Sequence, residues 1–197
     1  FLAADLGARV TAMRERTGGR VRVLFTAHSL PQRIIDAGDP YPDELRSTAE
    51  AVAASVGLVE GDDWQIAWQS AGRTPEPWIG PDILEVIDSL ANEDVAGVIV
   101  SACGFVADHL EVLYDLDIEA SGRATSNGLA FDRTACVNDD PAIMAALAER
   151  VGRCAPRAAS SCTHASPIPL APPVTRARRP PRSWSVMVCS DRRHPRG

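Results

Sequence analysis

Apolar positions along the chain follow two rhythms, and the switch between them marks the elements. "VRVLFTA" (21–27) is a short β-rich run that predicts a strand, followed by a loop holding Pro31, Gly38, Pro40 and Pro42. "PDELRSTAEAVAASVG" (42–57) predicts a helix: acids fill its first turn, Leu45, Ala49, Val52 and Val56 share one face, and Gly57 stops it. "WQIAWQS" (64–70) sets Trp64, Ile66 and Trp68 on one side of a strand. "GRTPEPWIGP" is a proline-braced loop, and Pro81 opens a helix running to about Leu90. "VAGVIVSA" (95–102) is continuously apolar, as a strand covered on both faces must be. An acidic helix starts after it. "NDDPAIMAALAERVG" (138–152) predicts a last helix, with Asn138, Asp139 and Asp140 as cap candidates, Pro141 in its first turn and Gly152 as its stop.

Repeated β-then-α units predict an α/β fold, a Rossmann-like parallel sheet with helices on both faces. Ligands of such sheets bind at the carboxyl ends of the strands. Two loops there carry chemistry, "AHSLP" after the first strand and the acidic segment after the third. The absence of a G-x-G-x-x-G or phosphate loop leaves a nucleotide-binding reading without support.

The 197 residues, 45% hydrophobic and 23% charged, are enough for one domain with a substantial core. The longest apolar run is too short to cross a bilayer, so no membrane span is expected. The first residues lack the basic start of a signal peptide, and a cytoplasmic location is the default expectation. With Phe rather than Met at its start, the chain reads as a piece of a longer one. Residues 1–20 read as the end of a preceding helix and its connection.

Charge separates the remainder into two parts. Residues 1–150 carry 25 acids and 11 arginines, a net of −14; residues 151–197 carry nine arginines and one acid, a net of +8. The second part also holds eight of the fifteen prolines and has no periodicity. Such composition buries too little apolar area to offset chain entropy, so 153–197 is expected to be a disordered basic tail and 21–152 the folded α/β domain. Two readings of the tail stay open: a basic arm for nucleic acid or anionic lipid, and a non-native end produced by read-through of GC-rich DNA. The second is favoured, and no nucleic-acid partner is expected. Five cysteines, Cys103, Cys136, Cys154, Cys162 and Cys189, form no C-x-x-C pair and read as reduced thiols, with Cys103 as a small buried hydrophobe.

The candidate chemistry sits in the two loaded loops. "GFVADHLEVLYDLDIEA" (104–120) places Asp108, Glu111, Asp115, Asp117 and Glu119 in twelve positions with no cation among them. Carboxylates four apart on a helix repel by roughly 0.2–0.5 kcal/mol per pair, so something must offset the crowding. Glu111, Asp115 and Glu119 are spaced i, i+4, i+8; a row at that spacing drifts by about 40° per step on an α-helix, and a π-bulge straightens it. The row is then a ladder of hard oxygen ligands that hold divalent cations loosely enough to exchange. The competing reading is a solvated helix face. His28, directly after the first strand, can take a proton or bind a metal, although an isolated His is more often structural. His109 points elsewhere on the helix and is a capping candidate. A Ser29–His28 nucleophilic pair is disfavoured, because neighbours on an extended segment point apart.

Four stretches, "FTAHSLP", "GDPYPDELRSTAEAVA", "AWQSAGRTPEPWIGPD" and "GFVADHLEVLYDLDIEA", occur in order at suitable spacing. Together they resemble the carboxy-terminal half of the ferrochelatase family, whose members insert ferrous iron into a porphyrin. The resemblance runs from about Val21 to about Val151. It implies a chelatase-type fold that is one half of a two-domain enzyme, active in heme biosynthesis and monomeric at full length. "QSAGRTPEPWIGPD" followed by "GFVADHLEVLYD" is most similar to bacterial members that make coproheme from coproporphyrin III, with protoporphyrin IX as the other substrate in the family. The resemblance makes His28 a metal ligand and acceptor of pyrrole protons, and Glu111 the residue facing it across the cleft. It assigns Asp115 and Glu119 to an acidic row on a π-distorted helix that guides the incoming cation. Fe²⁺ is then the substrate, porphyrin the partner, and no redox cofactor is required because iron stays ferrous. Some members bind a [2Fe-2S] cluster through clustered cysteines. Cys154, Cys162 and Cys189 do not reproduce that pattern, so no cluster is expected. The amino-terminal half is missing from this sequence, which leaves open a non-catalytic half-domain that holds metal or tetrapyrrole without turnover.

Overall fold

The computed structural model describes residues 1–154. Most of the basic tail, with Cys162 and Cys189, lies outside the described residues. Four strands, β1 (Val21–His28), β2 (Trp64–Gln69), β3 (Gly97–Ser101) and β4 (Ala130–Arg133), form one sheet in the order β2-β1-β3-β4. Every pairing is parallel. Helices cover both faces, as the strand–helix rhythm predicts. On one face, α1 (Leu2–Thr17) and α3 (Tyr41–Val56) bury Leu6, Val10, Met13, Ala49 and Ala53 against Val23, Phe25, Trp64 and Ile99. On the other, α4 (Ile83–Leu90) and a long composite helix close over Leu24, Ala67, Val98 and Val100.

The composite helix has three parts: α5 (Leu110–Val112), the π-helix π1 (Leu113–Ala120) and α6 (Ser121–Ser126). The N–H of Ser121 reaches the carbonyl of Leu116, five residues back, which is the π pattern. Val112, Leu116, Ala120 and Ala124 are fully buried along its inner side, a step of four that this winding keeps in one line. The last helix, α7, spans Pro141–Cys154.

Several elements differ from the expectation. Leu2–Thr17 is a 16-residue helix that forms a wall of the core, and Gly97 at the start of β3 admits it: a Cβ there would collide with the sulfur of Met13. The loop after β1 holds a short helix, α2 (Gln32–Asp36), and the chain adds an edge strand, β4, where no strand was expected. In α3 the buried residues are Leu45, Ala49 and Ala53, and the expected Val52 and Val56 pack half-buried against the same core. The fourth helix begins at Ile83 instead of Pro81, because the Asp82 carboxylate caps it by accepting from the Leu84 N–H at 2.8 Å. No helix among the described residues is long and apolar enough to cross a membrane.

Candidate functional site

Each side chain of the candidate site is delivered by the carboxyl end of a strand or by the helix that follows one. His28 is the last residue of β1. The connection from β3 folds down onto this end because Gly104 has no side chain. A Cβ on Gly104 would overlap the Ala27 side chain and lie 3.2 Å from the Thr26 carbonyl, to which the Gly104 N–H is hydrogen-bonded at 3.0 Å. That close approach starts the composite helix directly above β1. Glu111 Oε2 then stands 3.9 Å from His28 Nε2, with both side chains partly open to solvent.

The hydrogen bonding of His28 sets its chemistry. Its Nδ1 lies 2.5 Å from the Ser29 carbonyl oxygen, which can only accept, so Nδ1 carries the proton. In the neutral ring the lone pair therefore sits on Nε2, the nitrogen that faces Glu111. The Ser29 hydroxyl is committed elsewhere, donating to the Ile79 carbonyl at 2.7 Å, which removes it as a nucleophile. Tyr41 stacks at a tilt on Trp68, with centroids 5.8 Å apart; burial pushes its phenol upward, partly opposed by the His28 backbone.

Asp115 and Glu119 lie further along the row, on π1, and line a cavity of about 230 Å³ with Gln69, Ser70, Arg73 and Tyr114. Drift in a π-helix runs opposite to that in an α-helix, so a row that begins in α5 and continues through π1 stays near one line. The Ser70 hydroxyl donates to Asp115 Oδ2 from a backbone held at φ 60°, a left-handed conformation that a non-glycine residue adopts at a cost. A larger concavity, about 510 Å³, opens at the opposite end of the sheet between Arg14, Arg20, Asp63 and Asp94, away from every candidate residue.

The other two acids of the segment face away from this row. Arg133, at the end of β4, makes a two-pronged pair with Asp117 at 2.6 and 3.0 Å and a further bond to Asp108 at 2.9 Å. Asn138 donates to the second oxygen of Asp108 at 2.8 Å. That hydrogen bond first, then Cys136 and the Arg133 charge, holds the Asp108 carboxyl below the usual carboxylate range, and the carboxylates in turn raise the Arg133 guanidinium. His109 occupies the cap position of α5, but its ring makes no capping bond and packs edge-on to Phe105, with centroids 5.2 Å apart. Cys103 and Cys136 are free thiols, each pushed up to about 12 by burial.

Among the described residues, no three His, Cys, Asp or Glu side chains gather closely enough to hold a bare ion. His28 and Glu111 are brought together as a pair, whereas Asp115 and Glu119 follow as a file beside a separate cavity.

The ferrochelatase family model matches residues 2–154. The chain belongs to the ferrochelatase family. A ferrochelatase of Herpetosiphon aurantiacus is 49% identical over 125 residues, covering 64% of this chain and 40% of the relative. One from Thermus thermophilus is 44% identical over 144 residues, covering 73% and 44%. A coproporphyrin III ferrochelatase of Geobacillus kaustophilus is 41% identical over 152 residues, covering 77% and 47%. The chain thus spans less than half the length of the curated ferrochelatases it matches. Sequence reasoning gave no role to three residues that surround the acidic segment: Gln69 and Ser70 beside the candidate row, and Arg133 on its other side. Gln69 and Ser70 stood inside a quoted stretch with no role, and Arg133 lies 16 residues from Asp117 and 25 from Asp108, beyond any local pattern.

Proposed function

We propose that this chain is the metal-handling half of an enzyme that inserts Fe²⁺ into a porphyrin, with coproporphyrin III as the preferred substrate. The observation that carries this reading is the approach of His28 Nε2 to Glu111 Oε2, 3.9 Å apart at the carboxyl end of β1. Metallation exchanges two pyrrole protons for one divalent cation and replaces the cation's water shell with four nitrogens. Two pyrrole protons leave, one to Nε2 of His28 after it has released the cation and the other to solvent, and Glu111, opposite, balances the cation's charge as its waters leave. Ligand distances of about 2.1 Å let one ion sit between the two at a wide angle. Asp115 and Glu119 hold the hydrated cation on its way to that pair. Iron stays ferrous, so no redox cofactor enters. The enzyme is read as a cytoplasmic monomer whose partners are the porphyrin and the metal.

The second cleft wall and many porphyrin contacts belong to the amino-terminal half of the family. A chain spanning less than half of its relatives is therefore expected to bind divalent metal without turning over. The test is anaerobic Fe²⁺ insertion by the chain joined to a ferrochelatase amino-terminal half, followed by loss of porphyrin fluorescence. The reading expects faster metallation of coproporphyrin III than of protoporphyrin IX. The reverse order overturns the substrate choice, and no insertion into either overturns the activity.

A further inference from the structure

Gln69 is the last residue of β2 and only 1% exposed, yet neither its amide nitrogen nor its amide oxygen has a hydrogen-bond partner. Native structures rarely leave buried polar groups without a partner, whether protein, water or ligand. Position points to the ligand. In the parallel ladder Gln69 is the register partner of His28, so the two side chains rise from the same face of the sheet. Gln69 also lines the cavity that holds Asp115 and Glu119. It therefore stands between the His28–Glu111 pair and the carboxylate file. Thr26, two residues before His28 and on the same face, has an unpartnered buried hydroxyl as well.

The size and donor set of the cavity specify what fits. The cavity, about 230 Å³ and lined by two carboxylates, has room for a divalent cation that keeps its water shell. Among the described residues no three His, Cys, Asp or Glu side chains converge on this cavity, so a cation held there keeps most of its own waters. The interactions must then pass through the ion's own waters, which present hydrogens to carboxylates and to an amide oxygen alike.

We propose that Gln69 is a further substrate-binding residue: its amide hydrogen-bonds the water shell of a hydrated divalent cation in the cavity beside Asp115 and Glu119. This rests on the proposed metal-handling function. The amide keeps the shell continuous as the ion passes toward His28, and Ser70 fixes the Asp115 carboxylate on the cavity's other side.

The experiment is a Co²⁺ titration of the chain, with thermal unfolding measured in parallel, on the parent, Gln69→Leu and Glu119→Gln. Gln69→Leu is expected to weaken Co²⁺ binding about tenfold while leaving Tm unchanged or higher, because an apolar side chain of similar size relieves unpaired groups. Gln69→Met repeats the test if the leucine variant loses stability. Unchanged affinity in a stable Gln69 variant, with Glu119→Gln weakened, overturns the role of Gln69 and leaves the metal-handling reading intact. Lost stability in both Gln69 variants also overturns it, by making the amide a structural group. Unchanged affinity in all variants overturns both.

Discussion

The five carboxylates between Asp108 and Glu119 form two populations. Asp108 and Asp117 are neutralised by one guanidinium, that of Arg133, which is mostly buried. Glu111, Asp115 and Glu119 have no Arg partner among the described residues; they face an imidazole, a serine hydroxyl and a cavity. The difference resolves the charge crowding on this segment. Arg133 ties the outer acids to β4 and so anchors the π-helix, while the inner acids are left with charge that a passing cation can neutralise.

The strongest way to break the contrast is to remove the inner pair. In the enzyme joined to its amino-terminal half, His28→Ala and Glu111→Ala are each expected to lower the metallation rate by about 10²–10⁴-fold, with little change in Tm, read from metalloporphyrin absorbance. Retention of full rate by either variant would remove that residue from the site. Arg133→Ala acts on the other population. It strands two carboxylates, and urea unfolding is expected to show a loss of about 2 kcal/mol. Asp117→Asn in that background should add little, because the pair is already broken.

Asp115→Asn and Glu119→Gln sharpen the comparison with smaller effects. Both are expected to raise KM for Fe²⁺ several-fold. Neither should destabilise the fold, since each relieves like-charge repulsion of roughly 0.2–0.5 kcal/mol per pair. A fall in Tm for both would mean that the file is a structural face rather than a route for cations. Acid separates the populations most finely. The Asp108 carboxyl is lowered by Asn138 and Arg133, so its contribution to stability is complete above the ordinary value of 3.8. It fades as pH falls through its depressed native value. The Asn138→Ala variant should accordingly lose less stability than the parent as pH drops below 3.8, measured by urea midpoints along the pH series.

Legibility in the sequence followed the size of each signal. β1 and β3 were readable because burial on both faces makes them continuously apolar. β4 was not: four half-buried residues on an edge, with Asp132 and Arg133 among them, carry no period. α2 escaped for a related reason, since its five residues bury nothing. In the site, His28 and the spacing of Glu111, Asp115 and Glu119 could be seen directly, and that spacing anticipated the π winding. Gln69 looked like any polar residue at a strand end; only the β1–β2 register places it beside His28. Arg133 became visible only when β4 brought it to the composite helix.

The account rests on His28 and Glu111 flanking one cation, and crystals of the chain soaked in Co²⁺ test this most directly. An anomalous peak about 2.1 Å from both His28 Nε2 and a Glu111 carboxylate oxygen is the predicted result. A peak on Asp108 and Asp117 instead, or none at the end of β1, would contradict it.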